Sequence, residues 1–496
     1  MTLEVATPTT STRSLRVTFY VLAVSVGSYA MLQSLVVPVL PTIQRNLHTS
    51  QNTVTWVLTA YLLSASICTP ILGRVGDMYG KKRIFVASLI ALVVGSLLTA
   101  LATSVIVMIV ARVIQGIAGA ILPLTFGIIR DEFPRERVMG VIGSVAALIA
   151  VGAGLGIVLA GPIVDILGYH WLFWLPLIIV SVATLASYLF IEESPSKTEG
   201  SISWAAALLL SGWLFALLVA VSESSVWGWT SPKVIGLFVL AILIGIGWFF
   251  TEIRWEHPLI DMRMMRTPAV WTVNLVALLF GIGMYATFAF LPEFLQTRPS
   301  AGYGFGASIT ESGLMLLPMT VTMFFVGLVS GRLSTRFGSK PVLFAAAIVS
   351  IAPFVILAEA HNQKWEIVLA TAILGTGFGA AFSAMSNLIV AAVPAHQTGV
   401  ASGMNANIRT IGGSMGAAAM ASIVTAGIHP GKLPFDSGYV HGFIMLGAAT
   451  AFAALAALLI PTLKKGHPTA QELHDEMVHA EMALVAGGTL VGDESE

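Results

Sequence analysis

Long apolar runs decide what this chain can become. Fourteen stretches carry few or no charges, at about 17–40, 53–73, 84–103, 105–129, 138–164, 171–191, 202–222, 233–251, 269–296, 309–330, 341–359, 365–391, 399–426 and 440–461. About 20 such residues cross a bilayer as a helix. Only 10% of the 496 residues are charged, against roughly 25% in soluble domains. A chain of this kind cannot cover itself with polar groups, so lipid must be its main solvent. In lipid each backbone N–H and C=O needs an internal partner, and runs of this length supply it as helices. The expectation is an all-α polytopic membrane protein with 14 transmembrane helices. The first run is read as a span and not as a cleaved signal, because it is too long and no A-x-A site follows. Net charge is zero, which argues against a nucleic-acid partner. The single cysteine, Cys68, forms no internal disulfide and reads as a small buried hydrophobe.

Charge sets the expected orientation. With the N-terminus inside, 18 of the 25 Lys and Arg residues fall on inner loops or tails and five on outer ones. Basic loops stay in the cytosol, so both ends are placed there, in a multi-pass protein of the cell membrane.

One phrase is written twice. Gly73 opens GRVGDMYGKKR and Gly331 opens GRLSTRFGSKP, 258 residues apart. Both fall on inner loops, after spans 2 and 10. FPRERVMG after span 4 has an echo in VPAHQTG after span 12. Spans 7 and 8 and their linkers occupy about 76 residues, and 258 − 76 leaves a 182-residue, six-helix unit. Parallel repeats of this kind occur in transporters. The expected organisation is an N-terminal stretch 1–16, a six-helix bundle 17–192, two inserted helices 193–268, a second six-helix bundle 269–462, and an acidic cytosolic tail 463–496.

These motifs carry a resemblance over nearly the whole chain. Gly73, Asp77, Gly80, Lys81 and Lys82 match the loop 2–3 motif of the major facilitator superfamily, with Met78 in place of a basic residue. ARVIQGIAGA (111–120) resembles its span-4 motif. WGWTSP (227–232) and GVASGMNANIRTIGGSMG (399–416) resemble the fourteen-span drug:proton antiporter branch. The resemblance implies the major facilitator fold: two six-helix bundles around a cavity that opens alternately to each side, plus the inserted pair. It implies export of drugs or antibiotics by multidrug efflux, as an antiporter. The partners would be a small amphipathic substrate, protons and the bilayer, and the protein a monomer. No cofactor is expected, the proton gradient being the energy source. The chain departs from the branch twice. Leu32 stands where span 1 usually has Asp, with Gln33 next, and the span-5 glycine-proline motif has Ile157 and Ala160 instead. Both departures favour the alternatives of an uncoupled facilitator or a dedicated metabolite exporter. A ligand-sensing transceptor is a further alternative, disfavoured by the lack of a long soluble region.

Individual residues sharpen these expectations. In the first loop Gly73, Gly76 and Gly80 serve tight turning, and Lys81, Lys82 and Arg83 hold the loop inside. Asp77 is read as a latch against a helix N-terminus or a basic side chain. Gly73, Arg74, Asp77, Gly80, Lys81, Arg83, Arg336 and Gly338 form the candidate gate motif. Arg112 and Arg409 are charges within spans, which are costly unless they face protein or water. Arg112, with Gln115 nearby, tunes a cavity carboxylate, responds to substrate charge, or braces the bundle through carbonyls; Asn405 and Arg409 share a helix face and line the cavity or form an interhelical polar brace. Glu293, one residue after Pro292, is a candidate proton carrier, or a solvated interfacial carboxylate. Glu223 and Glu311 sit at the headgroups, and Asp165 caps the turn before Gly168. Gln33, Trp56, Tyr61, Tyr285 and Phe288 are candidate cavity residues, each with a core or lipid-facing alternative. The pairs Gly152/Gly156, Gly375/Gly379 and Gly412/Gly416 favour close helix packing. No nucleophile, phosphate loop or metal-ligand cluster is present in the sequence, so no enzyme is expected.

Overall fold

The computed structural model describes residues 12–49, 51–193, 203–255, 258, 260, 262–393, 398–426 and 434–461. The expected tail 463–496 and most of the N-terminal stretch lie outside the described residues. Regular structure within them is helical throughout. The long helices are α1 (Thr12–Leu35), α2 (Gln51–Tyr79), α3 (Lys81–Ala100), α4, α5 (Arg135–Leu167), α6 (Trp171–Phe190), α7 (Trp204–Trp227), α8 (Pro232–Arg254), α9 (Pro268–Gln296), α10 (Ile309–Phe337), α11 (Ser339–Glu359), α12 (Lys364–Ala392), α13 (Thr398–Val424) and α14 (Asp436–Leu458). Helix α4 is made of Val105–Gly116, a 3₁₀ turn Ile117–Ala120, and Ile121–Glu132.

Twelve helices among the described residues are long and apolar enough to cross a membrane. The other two long helices are α5, whose shorter apolar part is Val151–Leu167, and α13. Side-chain caps finish several ends. Ser104, Ser203, Ser231 and Ser308 accept backbone N–H groups at the starts of α4, α7, α8 and α10. Gln363 and Glu366 form a capping box at the start of α12. Each cap gives a partner to an N–H that the helix leaves orphaned.

Small residues bring the helices together, because lipid gives no hydrophobic reward for helix–helix contact and close packing must supply the attraction. Gly152 and Gly156 of α5 rest on the backbone carbonyls of Gly27 and Met31 in α1. Gly412 and Gly416 of α13 rest in the same way on Leu278 and Ile282 of α9. The duplication reappears in the residues on which two pairs of glycines sit. Gly116 and Gly119 of α4 sit over Tyr61 and Ala65 of α2, while Gly375 and Gly379 of α12 sit over Met319 and Met323 of α10. Adding the loop offset of 258 to 61 and 65 gives 319 and 323.

Buried apolar side chains of α1–α6 form one set of clusters, and those of α9–α14 form another. The two sets meet along a seam. Gly154 and Gly161 of α5 pack under Thr320 and Thr310 of α10. Asn407 of α13 donates from Nδ2 to the Ser66 carbonyl of α2 at 3.0 Å. The inserted helices straddle this seam, since Leu210 and Leu214 of α7 share a cluster with Leu63 of α2 and Met404 and Ile411 of α13. Trp56 Nε1 of α2 donates to Glu223 of α7 at 2.7 Å, and Trp229 Nε1 donates to Ser422 of α13 at 2.8 Å.

Candidate functional site

The duplicated phrase lies at one face of the helix bundle, here called the loop face. Gly80 and Gly338 both have positive φ, +121° and +90°, and each starts the following helix. Only glycine takes such a φ readily. Gly73 and Gly76 do not share the turning role expected of them. Both lie inside α2, where Gly76 admits Leu124 of α4 and Gly73 has open space around it.

The first loop carries a charge network. Lys81 is 3% exposed and ion-paired with Asp131 at the end of α4. Asp77 lies 3.6 Å from the same ammonium, one helical turn back. Lys81 is therefore a buried structural cation, not the solvated topology signal that its place in a basic run suggested. Glu193, just beyond α6, accepts from the Lys82 backbone N–H at 3.1 Å and pairs with Arg83 at 3.5 Å. A methyl at Gly80 would lie 2.6 Å from that carboxylate. Arg74 has a buried Nε without a partner. In the second loop Arg336 is exposed and rests over the Phe337 ring, and Lys340 Nζ donates to the Leu458 carbonyl at 2.9 Å. Asp77 opens onto a small pocket lined also by Thr69, Pro123, Arg130, Gly403 and Met404. The pocket lies between the ends of α2 and α4 and the first turns of α13.

A polar layer crosses the middle of the seam. Arg112 of α4 is fully buried. Its Nε donates to the Val57 carbonyl at 3.0 Å, Nη1 donates to Gln115 Oε1 at 2.8 Å, and the guanidinium lies 4.8 Å from the Tyr61 ring centroid. Gln115 passes the contact on to Ser96 of α3 at 3.1 Å. Among the described residues no carboxylate partners Arg112; the bracing role through a carbonyl matches this geometry. Arg409 of α13 lies 4.4 Å from the Phe382 ring centroid and beside the Tyr285 hydroxyl of α9. Asn405 does not line the layer with Arg409. It is 5% exposed and donates to Asn274 Oδ1 of α9 at 2.9 Å. Tyr29 of α1 neighbours Tyr61, and Tyr285 of α9 lies nearby.

The remaining candidates scatter. Trp56 is turned onto the inserted helix α7. Leu32 is buried in the same apolar cluster as Tyr29 and Tyr61, and Phe288 packs on the core of the second bundle. Gln33 is half-buried. Glu293 is half-buried near the far end of α9, with Tyr439 of α14 and Tyr303 as its polar neighbours. Asp165 caps no turn: it accepts from Thr310 Oγ1 of α10 at 2.7 Å and so ties the two halves at the face opposite the loops. Glu223 is held by Trp56, and Glu311 pairs with Lys364. Sequence reasoning passed over Asp131, Glu193, Tyr29, Asn274 and Phe382. For Asn274 a signal existed, a lone amide within an apolar run; for the others it lay only in spatial proximity.

A family model described as the Major Facilitator Superfamily matches residues 22–417 and 275–480. The chain belongs to that superfamily. It is 27% identical over 421 residues to the multidrug transporter protein MdtP of Bacillus subtilis, covering 83% of this chain and 75% of that protein. It is 29% identical over 391 residues to a multidrug resistance protein B homolog of Mycobacterium tuberculosis, covering 76% and 70%. The crystal structure of the human organic anion transporter MFSD10 aligns with TM-score 0.66 over 89% of this chain and 99% of that one; at 15% identity this likeness concerns the fold alone. The molecule is thus a multi-pass membrane transporter of the Major Facilitator Superfamily, and not an enzyme.

Proposed function

We propose that this transporter exports small amphipathic compounds by alternating access, with fourteen crossings, both termini and the duplicated loops in the cytosol, and inward proton flow as the driving force. One observation carries the reading: the seam between the halves has separable contacts at both faces. On the cytosolic side Gly403 of α13 packs on Pro123 and Thr69, next to Asp77. On the outer side Asp165 and Thr310 join, and Gln296 Nε2 donates to the Pro38 carbonyl at 3.4 Å. Opening one set while the other holds exposes the polar layer to one side at a time. Relatives named for multidrug transport and resistance support a drug-like substrate. Glu293 is the proposed proton carrier, being a half-buried carboxylate with a tyrosine neighbour in α14.

A second reading, an uncoupled facilitator or metabolite exporter, is favoured by Leu32. That residue is 5% exposed within an apolar cluster, so its position is built as core and not as a titrating site. Proteoliposomes with a pH dye separate the two readings, using ethidium and fluorescein as probes of opposite charge. Either dye moved by an imposed pH gradient, and dissipating it, supports antiport. Dye moving only down its own gradient supports the facilitator. Movement of neither dye removes the export of amphipathic compounds.

A further inference from the structure

The central layer has an unusual charge balance for a membrane interior. Arg112 and Arg409 both lie within it, and the carboxylates of the described helices all stand within about a turn of a helix end. Charges within a membrane are normally matched by a partner, because an isolated one is costly. Here the partners are neutral. Arg112 has a carbonyl, an amide oxygen and a tyrosine ring; Arg409 has a tyrosine hydroxyl and a phenyl ring. Neither guanidinium is satisfied. Nη2 of Arg112 and Nε of Arg409 are buried without a hydrogen-bond partner. An arginine carries five N–H donors and no acceptor, so what is missing at each is an acceptor, best an anionic one.

We infer that the central layer binds an anionic group, and that the substrate is an organic anion: a carboxylate, sulfonate or phosphate ester on an aromatic or aliphatic body. Arg409 contacts that group. It is the less enclosed of the two arginines, and its neighbours Tyr285 and Phe382 are also half-buried. Tyr285 supplies a hydroxyl donor, and Phe382 offers an apolar face to the substrate body. Arg112 is a positioning residue, fully buried behind Tyr61. Its charge favours the anion through the tyrosines without touching it. A cation placed here meets two like charges in a medium where they are weakly screened. Leu32 belongs to the same logic. A carboxylate at that position would sit in the cluster that holds Tyr29 and Tyr61 and offset the charge of the layer, whereas leucine leaves that positive charge available to a substrate.

The inference rests on the export reading and narrows its substrate class. Fluorescein and rhodamine 123 share a xanthene frame and carry opposite charge near neutral pH, which makes them matched probes. In proteoliposomes of the full-length protein, fluorescein should move at least about tenfold faster than rhodamine 123. Arg409→Gln should lower fluorescein movement about tenfold or more, and Arg409→Lys should retain a substantial part. A monodisperse elution profile of both variants in detergent guards against misfolding. Arg112→Lys should raise the fluorescein concentration needed for half-maximal transport more than it lowers the maximal rate. Rhodamine 123 or ethidium moving while fluorescein does not would leave export standing and overturn the anion. If no dye moves, export falls, and fluorescein binding to the detergent-solubilised protein decides the anion. Binding that is lost in Arg409→Gln keeps it, and no binding removes it.

Discussion

The two copies of the glycine-punctuated loop share a backbone and differ in their electrostatics. Gly80 and Gly338 make the same positive-φ entry into the next helix. Around the first, Asp77, Lys81, Asp131 and Arg130 form a linked set of charges, buried at its centre, and Arg83 pairs with Glu193 beside it. Around the second, the side chains of Arg336 and Lys340 find an aromatic ring and a carbonyl. Duplication has kept the element that the chain path requires. At the first copy the ion pair of Lys81 and Asp131 joins α3 to α4.

Substitutions can break this comparison. The largest effect is expected at Lys81. Lys81→Met leaves the Asp131 carboxylate, 8% exposed, with Arg130 at 3.5 Å as a remaining counter-charge. Removing one member of a buried pair costs about 3–5 kcal/mol; with Arg130 in place the loss belongs at the low end, and the melting temperature in detergent should still fall sharply. Lys340→Met, the matching change in the second loop, should cost about 1 kcal/mol or less. Equal losses would show that the two loops are held alike.

Function should divide the loops as stability does. Asp77→Asn is expected to lower dye transport at least about tenfold at normal expression, because it weakens the carboxylate's attraction to the helix start and to Lys81. Arg336→Gln is an exposed change and should stay within about twofold, with stability altered by about 0.5 kcal/mol at most. Full activity in Asp77→Asn would remove the latch.

The glycines give a smaller, graded series. Gly80→Ala forces a methyl into positive φ and against Glu193, at a cost of about 1–3 kcal/mol. Gly338→Ala carries the backbone strain alone, its nearest atom being the Pro341 ring at 3.7 Å, and belongs at the low end of that range. Gly73→Ala, in a helix with open space, should be neutral or stabilising by about 0.4–1 kcal/mol. A small effect is also expected for Glu193→Gln. Its partner Arg83 is largely exposed, and such pairs contribute about 0.2–1 kcal/mol. The order Gly80, Gly338, Gly73 in melting temperature checks the assignment, and a reversal would mean that Gly80 has another role.

Much of the fold was legible in the residues because lipid enforces it. An apolar run of some 20 residues has no choice but to be a helix, and each long helix observed overlaps a run counted from the sequence. The repeat was legible too, since an offset of 258 residues recurs in the loops and again in the residues of α2 and α10 on which the glycines of α4 and α12 sit. The candidate site was less so. Arg112 and Arg409 announced themselves as charges within apolar runs, but their partners did not. Trp56 and Tyr61 lie five residues apart on α2 and share aromatic character; one is turned to an inserted helix and the other stacks under a guanidinium.

The sequence alone determined that the chain is membrane-embedded and helical and that it is written in two related halves, because hydropathy and repetition are properties of local runs. It also determined which charges lie at membrane depth. Tertiary structure decided what those charges meet. Lys81 reads as one of three consecutive basic residues, yet only packing against α4 buries it on Asp131. Asp165 reads as a turn cap, yet it bonds across the seam to Thr310. A partner's identity depends on which helix faces which and at what rotation, and close contacts between small residues on separate helices set both.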